Sequence, residues 1–196
     1  MQSRYSHRQM IVHWLTALCL VAIIALAWVM INAKEDTPFA DSLYDWHGSF
    51  GIVVLVLTAL RIIWRFIDKA PPLPANLAPW ERALAATTFG LFYVLLLWMP
   101  VTGYTAAAAA GYSLKFFNLV TIAPLVPRSD KLNSLMNTLH FVYGQWAVYT
   151  LIVLHIVGVA FNVVAKRNGI LNRMLPAQVN EAAANGDPAG KVLIRD

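Results

Sequence analysis

The chain has 196 residues, of which 59% are apolar and only 13% charged. That balance excludes an ordinary soluble domain, which needs more polar surface to cover its core. The net charge of +5 invites an acidic partner, but the placement of the basic residues explains it without nucleic acid.

Four stretches lack Asp, Glu, Lys and Arg: Met10 to Ala33, Trp46 to Leu60, Ala83 to Leu114, and Leu132 to Ala165. A bilayer core of about 30 Å is crossed by about 20 helical residues. The expected fold is therefore an all-α, integral membrane four-helix bundle occupying residues 1–177, with helices at about 10–33, 46–66, 83–106 and 135–165. The first helix has a secretory-leader alternative, with Arg4 and Arg8 ahead of it and Ile31-Asn32-Ala33 as a cleavage site. Its apolar run is longer than a leader's core and opens on His13, so a retained span is expected. The second helix reaches spanning length only if Arg61 and Arg65 snorkel at its end. Ala70-Pro71-Pro72-Leu73-Pro74 then makes a stiff, extended connection. After the third helix, Leu114, Phe116, Phe117 and Leu119 predict a short helix lying flat in the membrane interface. Residues 178–196 are polar, aperiodic and rich in Ala and Gly, and read as a disordered cytoplasmic tail. The lone Cys19 leaves no disulfide and no Cys-x-x-Cys-His for covalent haem attachment.

Charge sets the orientation. With the N-terminus inside, the inner segments carry Arg4, Arg8, Arg61, Arg65, Lys69, Arg82, Lys166, Arg167 and Arg173, and the outer ones only Lys34, Lys115, Arg128 and Lys131. The positive-inside rule then places both termini in the cytoplasm. Trp14, Trp64 and Trp80 fall at the inner interface, and Trp28, Trp46 and Trp98 at the outer one.

Four of the five histidines lie in or at the edge of the apolar stretches: His13, His47, His140 and His155. One histidine in a membrane helix commonly does no more than bond a neighbouring helix. Four in segments with almost no other ionisable group point to a function, because each costs free energy to bury alone. Their depths pair them. His13 opens the first helix at the inner face, and His47 opens the second at the outer face. In the fourth helix His140 is outer, and His155, fifteen positions on, lies about 22 Å deeper and about 60° round the helix. His13 is thus level with His155, and His47 with His140.

Two opposed imidazoles in an apolar setting suit a haem iron, whose macrocycle leaves two axial positions. Zinc asks for four protein ligands, and copper(II) is similarly short of donors here. Two non-covalent b haems are expected, with His13 and His155 on the inner iron and His47 and His140 on the outer. Ala17, Gly51, Gly144 and Gly158 follow the histidines by one turn and leave room for a flat ligand. Arg61 and Arg8 are candidate partners for the haem propionates, as are Arg65 and Arg4. Irons with both axial positions filled have no open site for oxygen and are expected to pass single electrons.

Tyr5-Ser6-His7-Arg8-Gln9-Met10-Ile11-Val12-His13-Trp14-Leu15 resembles the opening of the prokaryotic cytochrome b561 family. The likeness continues through Trp46-His47-Gly48, Leu139-His140, Leu154-His155 and Leu171-Asn172-Arg173-Met174-Leu175-Pro176. The resemblance implies four helices, two b haems on the four paired histidines, exchange of electrons with membrane quinone and, in some members, oxidation of superoxide outside with reduction of ubiquinone. His7 matches no ligand position.

Superoxide is an anion, so a positive outer mouth would speed its arrival. Lys131 and Arg128, with Lys115, are the candidates, because Glu35, Asp36, Asp41 and Asp45 crowd the first outer loop. Quinone has an apolar candidate dock at Phe116 and Phe117, where lipid contact is the other explanation. An electron-relay subunit for a partner dehydrogenase or hydrogenase is the second reading. A haem-free membrane transporter or scaffold is the third.

Overall fold

The computed structural model describes residues 4–176; the tail expected at 178–196 lies outside them. Three long helices come first, α1 (His7–Met30), α2 (Pro38–Ile67) and α3 (Pro79–Ala110). A hairpin of β1 (Leu114–Phe116) and β2 (Val120–Ile122) follows. Then α4 (Asp130–Asn137), a π-helical segment (Thr138–Gly144) and α5 (Gln145–Val164) run on as one fourth span, Asp130–Val164. A 3-10 turn at Leu171–Met174 closes the described chain.

Each span has the length and composition to cross a membrane. Its packing is that of a protein in lipid. Leu18, Val21, Trp28, Val94, Trp146, Ile156 and Val157 stand exposed, whereas the largest fully buried side chains are only Thr16, Ser49 and Thr58. Each of these small hydroxyls donates to the carbonyl four residues back in its own helix: Thr16 to Val12 at 2.6 Å, Ser49 to Asp45 at 2.6 Å and Thr58 to Val54 at 2.7 Å. Satisfied in this way, they let backbones approach closely where lipid removes the hydrophobic drive for helix association.

The helices begin where capping chemistry sits, upstream of the charge-free stretches. Ser6 and Gln9 cap α1 reciprocally, each accepting from the other's backbone N–H at 3.3 Å. Thr37 accepts from Ala40 N at 3.2 Å ahead of Pro38, and Ser129 accepts from Leu132 N at 3.3 Å. Asp41 and Asp130 in the first turns suit the positive ends of these helices, so charged residues extend α2 and the fourth span toward water.

One expectation fails. The connection after α3 is not an interfacial helix but an antiparallel hairpin, with Leu114 opposite Ile122, Lys115 opposite Thr121 and Phe116 opposite Val120. Val120, Thr121 and Ile122 include the β-branched residues that favour a strand, and Phe117 and Asn118 turn the chain at φ +47° and +58°. The hairpin is bolted to α2: Phe117 N donates to Ser49 Oγ at 2.8 Å, and Lys115 N to Asp45 Oδ1 at 3.0 Å. A Cβ added to Gly48 would overlap Leu114.

The opposite, basic end is tied by the chain's return. Gln9 Nε2 donates to Asp68 O at 2.9 Å, joining the start of α1 to the end of α2. Trp14 Nε1 donates to Met174 O at 2.8 Å, and Arg173 donates to Pro72 O. Lys166 pairs with Glu81, clasping the end of α5 to the start of α3.

Candidate functional site: two imidazole pairs in an apolar bundle

Antiparallel packing brings the four membrane histidines together two by two. At the hairpin end, His47 from α2 and His140 from the π-helical segment have ring centroids 6.1 Å apart, their planes at 79°. At the basic end, His13 from α1 and His155 from α5 lie 6.3 Å apart at 61°. A metal–imidazole bond is about 2 Å long and the ring centre lies about 1.1 Å beyond the nitrogen, so two imidazoles on opposite sides of one metal place their centroids about 6 Å apart. Both pairs have that spacing. Among the described residues no cluster of three or more His, Cys, Asp or Glu could hold a metal ion. The donor set therefore fits an iron whose remaining ligands belong to a macrocycle.

The polar atoms agree. His140 Nδ1 lies 2.9 Å from the Met99 carbonyl and 3.3 Å from Thr102 Oγ1. A carbonyl only accepts, so Nδ1 is assigned the hydrogen, and Nε2 keeps the lone pair that binds metal. His13 Nδ1 and His47 Nδ1 are buried with no hydrogen-bond partner, the Ile23 backbone facing His47 from outside hydrogen-bond geometry. Orphaned buried polar atoms of this kind cost about 1–3 kcal/mol each and concentrate at functional sites. His140 sits within a single stretch of π-helix, closed by Gln145 N donating to His140 O, a distortion that itself recurs at functional sites.

Space beside the rings varies. A Cβ at Gly51, one turn past His47, or at Gly158, one turn past His155, would meet nothing within 4 Å, and the same holds for Gly90. These are places where a flat ligand has room. Gly144 is not: a Cβ there would overlap Met99 Sδ, so its role is the close approach of α3. Gly103 lets α3 lie against His140, where a Cβ would stand 2.9 Å from Cε1.

Tyr5, Gln9, Arg61, Arg65, Tyr93 and Met174 line a cleft at the basic end. Arg61 lies 5.7 Å over the Tyr93 ring. Burial pushes the Tyr5 phenol above its ordinary value against the pull of Arg65, Arg173 and Arg61, so it stays a neutral donor. The cleft thus offers cations and hydroxyls to an anionic group.

Other sequence-predicted residues stand apart. Arg8 is exposed and has no hydrogen bond, ion pair or ring contact among the described residues, and His7 is likewise exposed at the start of α1. Lys131 lies exposed in the first turn of α4. Arg128 is exposed just ahead of it, near Gly111 at the end of α3. Phe116 and Phe117 pack on each other at 4.8 Å, and Phe117 meets Trp46 at 5.1 Å and Phe50 at 5.4 Å. That aromatic cluster begins one residue from His47. Sequence reasoning missed Met99 and Thr102 altogether, and it missed Tyr5 and Tyr93 in the cleft. For Met99 no signal existed, because its contribution is a backbone carbonyl.

A bundle of membrane spans that turns imidazoles toward one another across an apolar interior defines a class, the membrane cytochromes b. The family described as prokaryotic cytochrome b561 matches residues 4–177. The chain belongs to that family; it is a bacterial multi-pass membrane protein that binds haem b and transfers electrons. It is similar to "Cytochrome b561 homolog 1" of Escherichia coli (strain K12), 26% identical over 182 residues, covering 89% of this chain and 98% of the relative. "Cytochrome b561 homolog 2" of the same organism is 26% identical over 144 residues, 73% of this chain and 76% of the relative. "Probable superoxide oxidase CybB" of Yersinia pestis is 27% identical over 184 residues, 90% of this chain and 98% of the relative.

Proposed function

We propose that the chain is a di-haem cytochrome that carries single electrons from superoxide, at the periplasmic face of the inner membrane, to ubiquinone. The observation that carries the reading is the presence of two imidazole pairs, 6.1 Å and 6.3 Å between centroids, at opposite ends of one bundle. His47 and His140 hold the outer haem on this reading, and His13 and His155 the inner one. Haem iron, when bound, would supply a one-electron Fe(III)/Fe(II) couple. The residues supply the rest: imidazole nitrogens as ligands, Gly51 and Gly158 as clearance, and Arg61 with Tyr5 as partners for the propionates of the inner haem. The basic end faces the cytoplasm by the positive-inside rule. The superoxide assignment is supported by the similarity to a relative named as a probable superoxide oxidase, and by Lys131 and Arg128 exposed near the hairpin end.

The test is haem quantitation and turnover on the purified chain. Two low-spin haems per chain, with superoxide-driven reduction of ubiquinone, are expected. Two haems without superoxide reactivity above spontaneous dismutation would move the protein to a relay subunit for a dehydrogenase or hydrogenase. A colourless protein would overturn the cytochrome reading altogether.

A further inference from the structure

α3 carries no histidine, yet it touches both imidazole pairs and does so with different chemistry at each. At the hairpin end it offers polar groups. The Met99 carbonyl takes the Nδ1 hydrogen of His140 at 2.9 Å, with Thr102 Oγ1 at 3.3 Å from the same nitrogen. Thr102 is 6% exposed, and its hydroxyl is held 2.9 Å from the Trp98 carbonyl and 3.1 Å from that of Met99. Gly103 makes the approach possible, since a Cβ there would stand 2.9 Å from His140 Cε1 and 3.1 Å from Nδ1. At the basic end the same helix presents rings: Phe92 and Phe89 meet His155 edge-on at 5.6 Å and 6.5 Å. There His13 Nδ1 has no partner, and the cleft at that end holds the Arg61 guanidinium over the Tyr93 ring.

These differences act on electron affinity in one direction. An imidazole whose far N–H is donated to a carbonyl is a more basic ligand and favours the oxidised metal. A fixed cation beside a site favours the added electron. We propose, resting on the di-haem reading above, that Met99, Thr102 and Gly103 position His140 so as to make the hairpin-end site the harder to reduce. Arg61 makes the basic-end site the easier. An electron entering at the hairpin end then runs downhill to the basic end, and the slope is written into α3 and Arg61 rather than into the ligands, which are the same at both levels. Thr102 and Gly103 are positioning residues, acting through His140.

The experiment is a potentiometric titration of the purified, haem-loaded chain, following the two haem bands, the hairpin-end band being identified by its loss in His140→Ala. The wild type is expected to titrate in two one-electron steps, with the hairpin-end step at the lower potential. Gly103→Ala displaces the ring from the Met99 carbonyl and is expected to shift only the lower step upward, by about tenfold in the reduction equilibrium or about 59 mV. Thr102→Val conserves the side-chain shape and keeps the test available if Gly103→Ala fails to load haem; it is expected to shift the same step upward by less. Thr102→Ser restores the hydroxyl and the wild-type midpoint. Two haems with coincident or inverted midpoints, or a lower step unmoved in every variant that loads haem, overturn this inference alone. One haem per chain overturns the di-haem reading and this with it.

Discussion

His140 differs from the other ligand candidates in arriving already oriented, its Nδ1 committed to Met99 and its Nε2 free. His13 and His47 are buried with their Nδ1 atoms unpaired. Substitution should read out the pairing directly. His13→Ala and His155→Ala are each expected to remove the same haem band and halve the haem content, and His47→Ala and His140→Ala to remove the other, as measured by reduced-minus-oxidised spectra with haem quantitation. Loss of one common band in His13→Ala and His47→Ala would break the pairing. The pairs were legible in the sequence because histidine is conspicuous in an apolar stretch, and because position along an antiparallel helix is depth. The groups that distinguish one pair from the other were not. Met99 contributes a carbonyl that every residue possesses, and Gly103 shows its purpose only once the ring lying against it is located.

Among the elements, the four spans follow from composition, and their starts are shifted by caps that composition does not weigh. Thr37 and Ser129 draw α2 and the fourth span outward past Asp41 and Asp130. The hairpin was misread because Leu114, Phe116, Phe117 and Leu119 have enough apolar side chains for an interfacial helix. The competing signal lay after them, in Asn118, which accepts positive φ, and in the β-branched Val120, Thr121 and Ile122. Ser49, the buried acceptor that holds Phe117, gave no warning from sequence. The segment between the hairpin and α5 carries the exposed cations Arg128 and Lys131. On the proposed reading, Arg128→Glu with Lys131→Glu is expected to slow haem reduction by superoxide by roughly tenfold or more, leaving the spectra and reduction by a neutral donor unchanged. Wild-type superoxide kinetics should slow in parallel as salt rises. A double variant reacting at the wild-type rate would take steering away from this segment.

At the scale of the molecule, the two ends are closed by different means. The hairpin end is closed by a β-element bonded to α2, the basic end by Met174 and Arg173 returning to Trp14 and Pro72. His140 and His155 both belong to the fourth span, Asp130–Val164, whereas their partners enter with α1 and α2. That division has a consequence for biogenesis. While the ribosome is still making the first three helices, the nascent chain holds only one imidazole of each pair, His13 and His47. Neither pocket exists until the last helix is threaded in, and then both are completed at once. On the proposed di-haem reading, cofactor capture is thereby deferred until the fourth helix has inserted. A chain truncated before Asp130 is expected to insert yet purify colourless, whereas supplying residues 130–176 as a separate polypeptide should restore absorbance in both bands together. Restoration of one band without the other would show that the fourth helix seats its two ends independently.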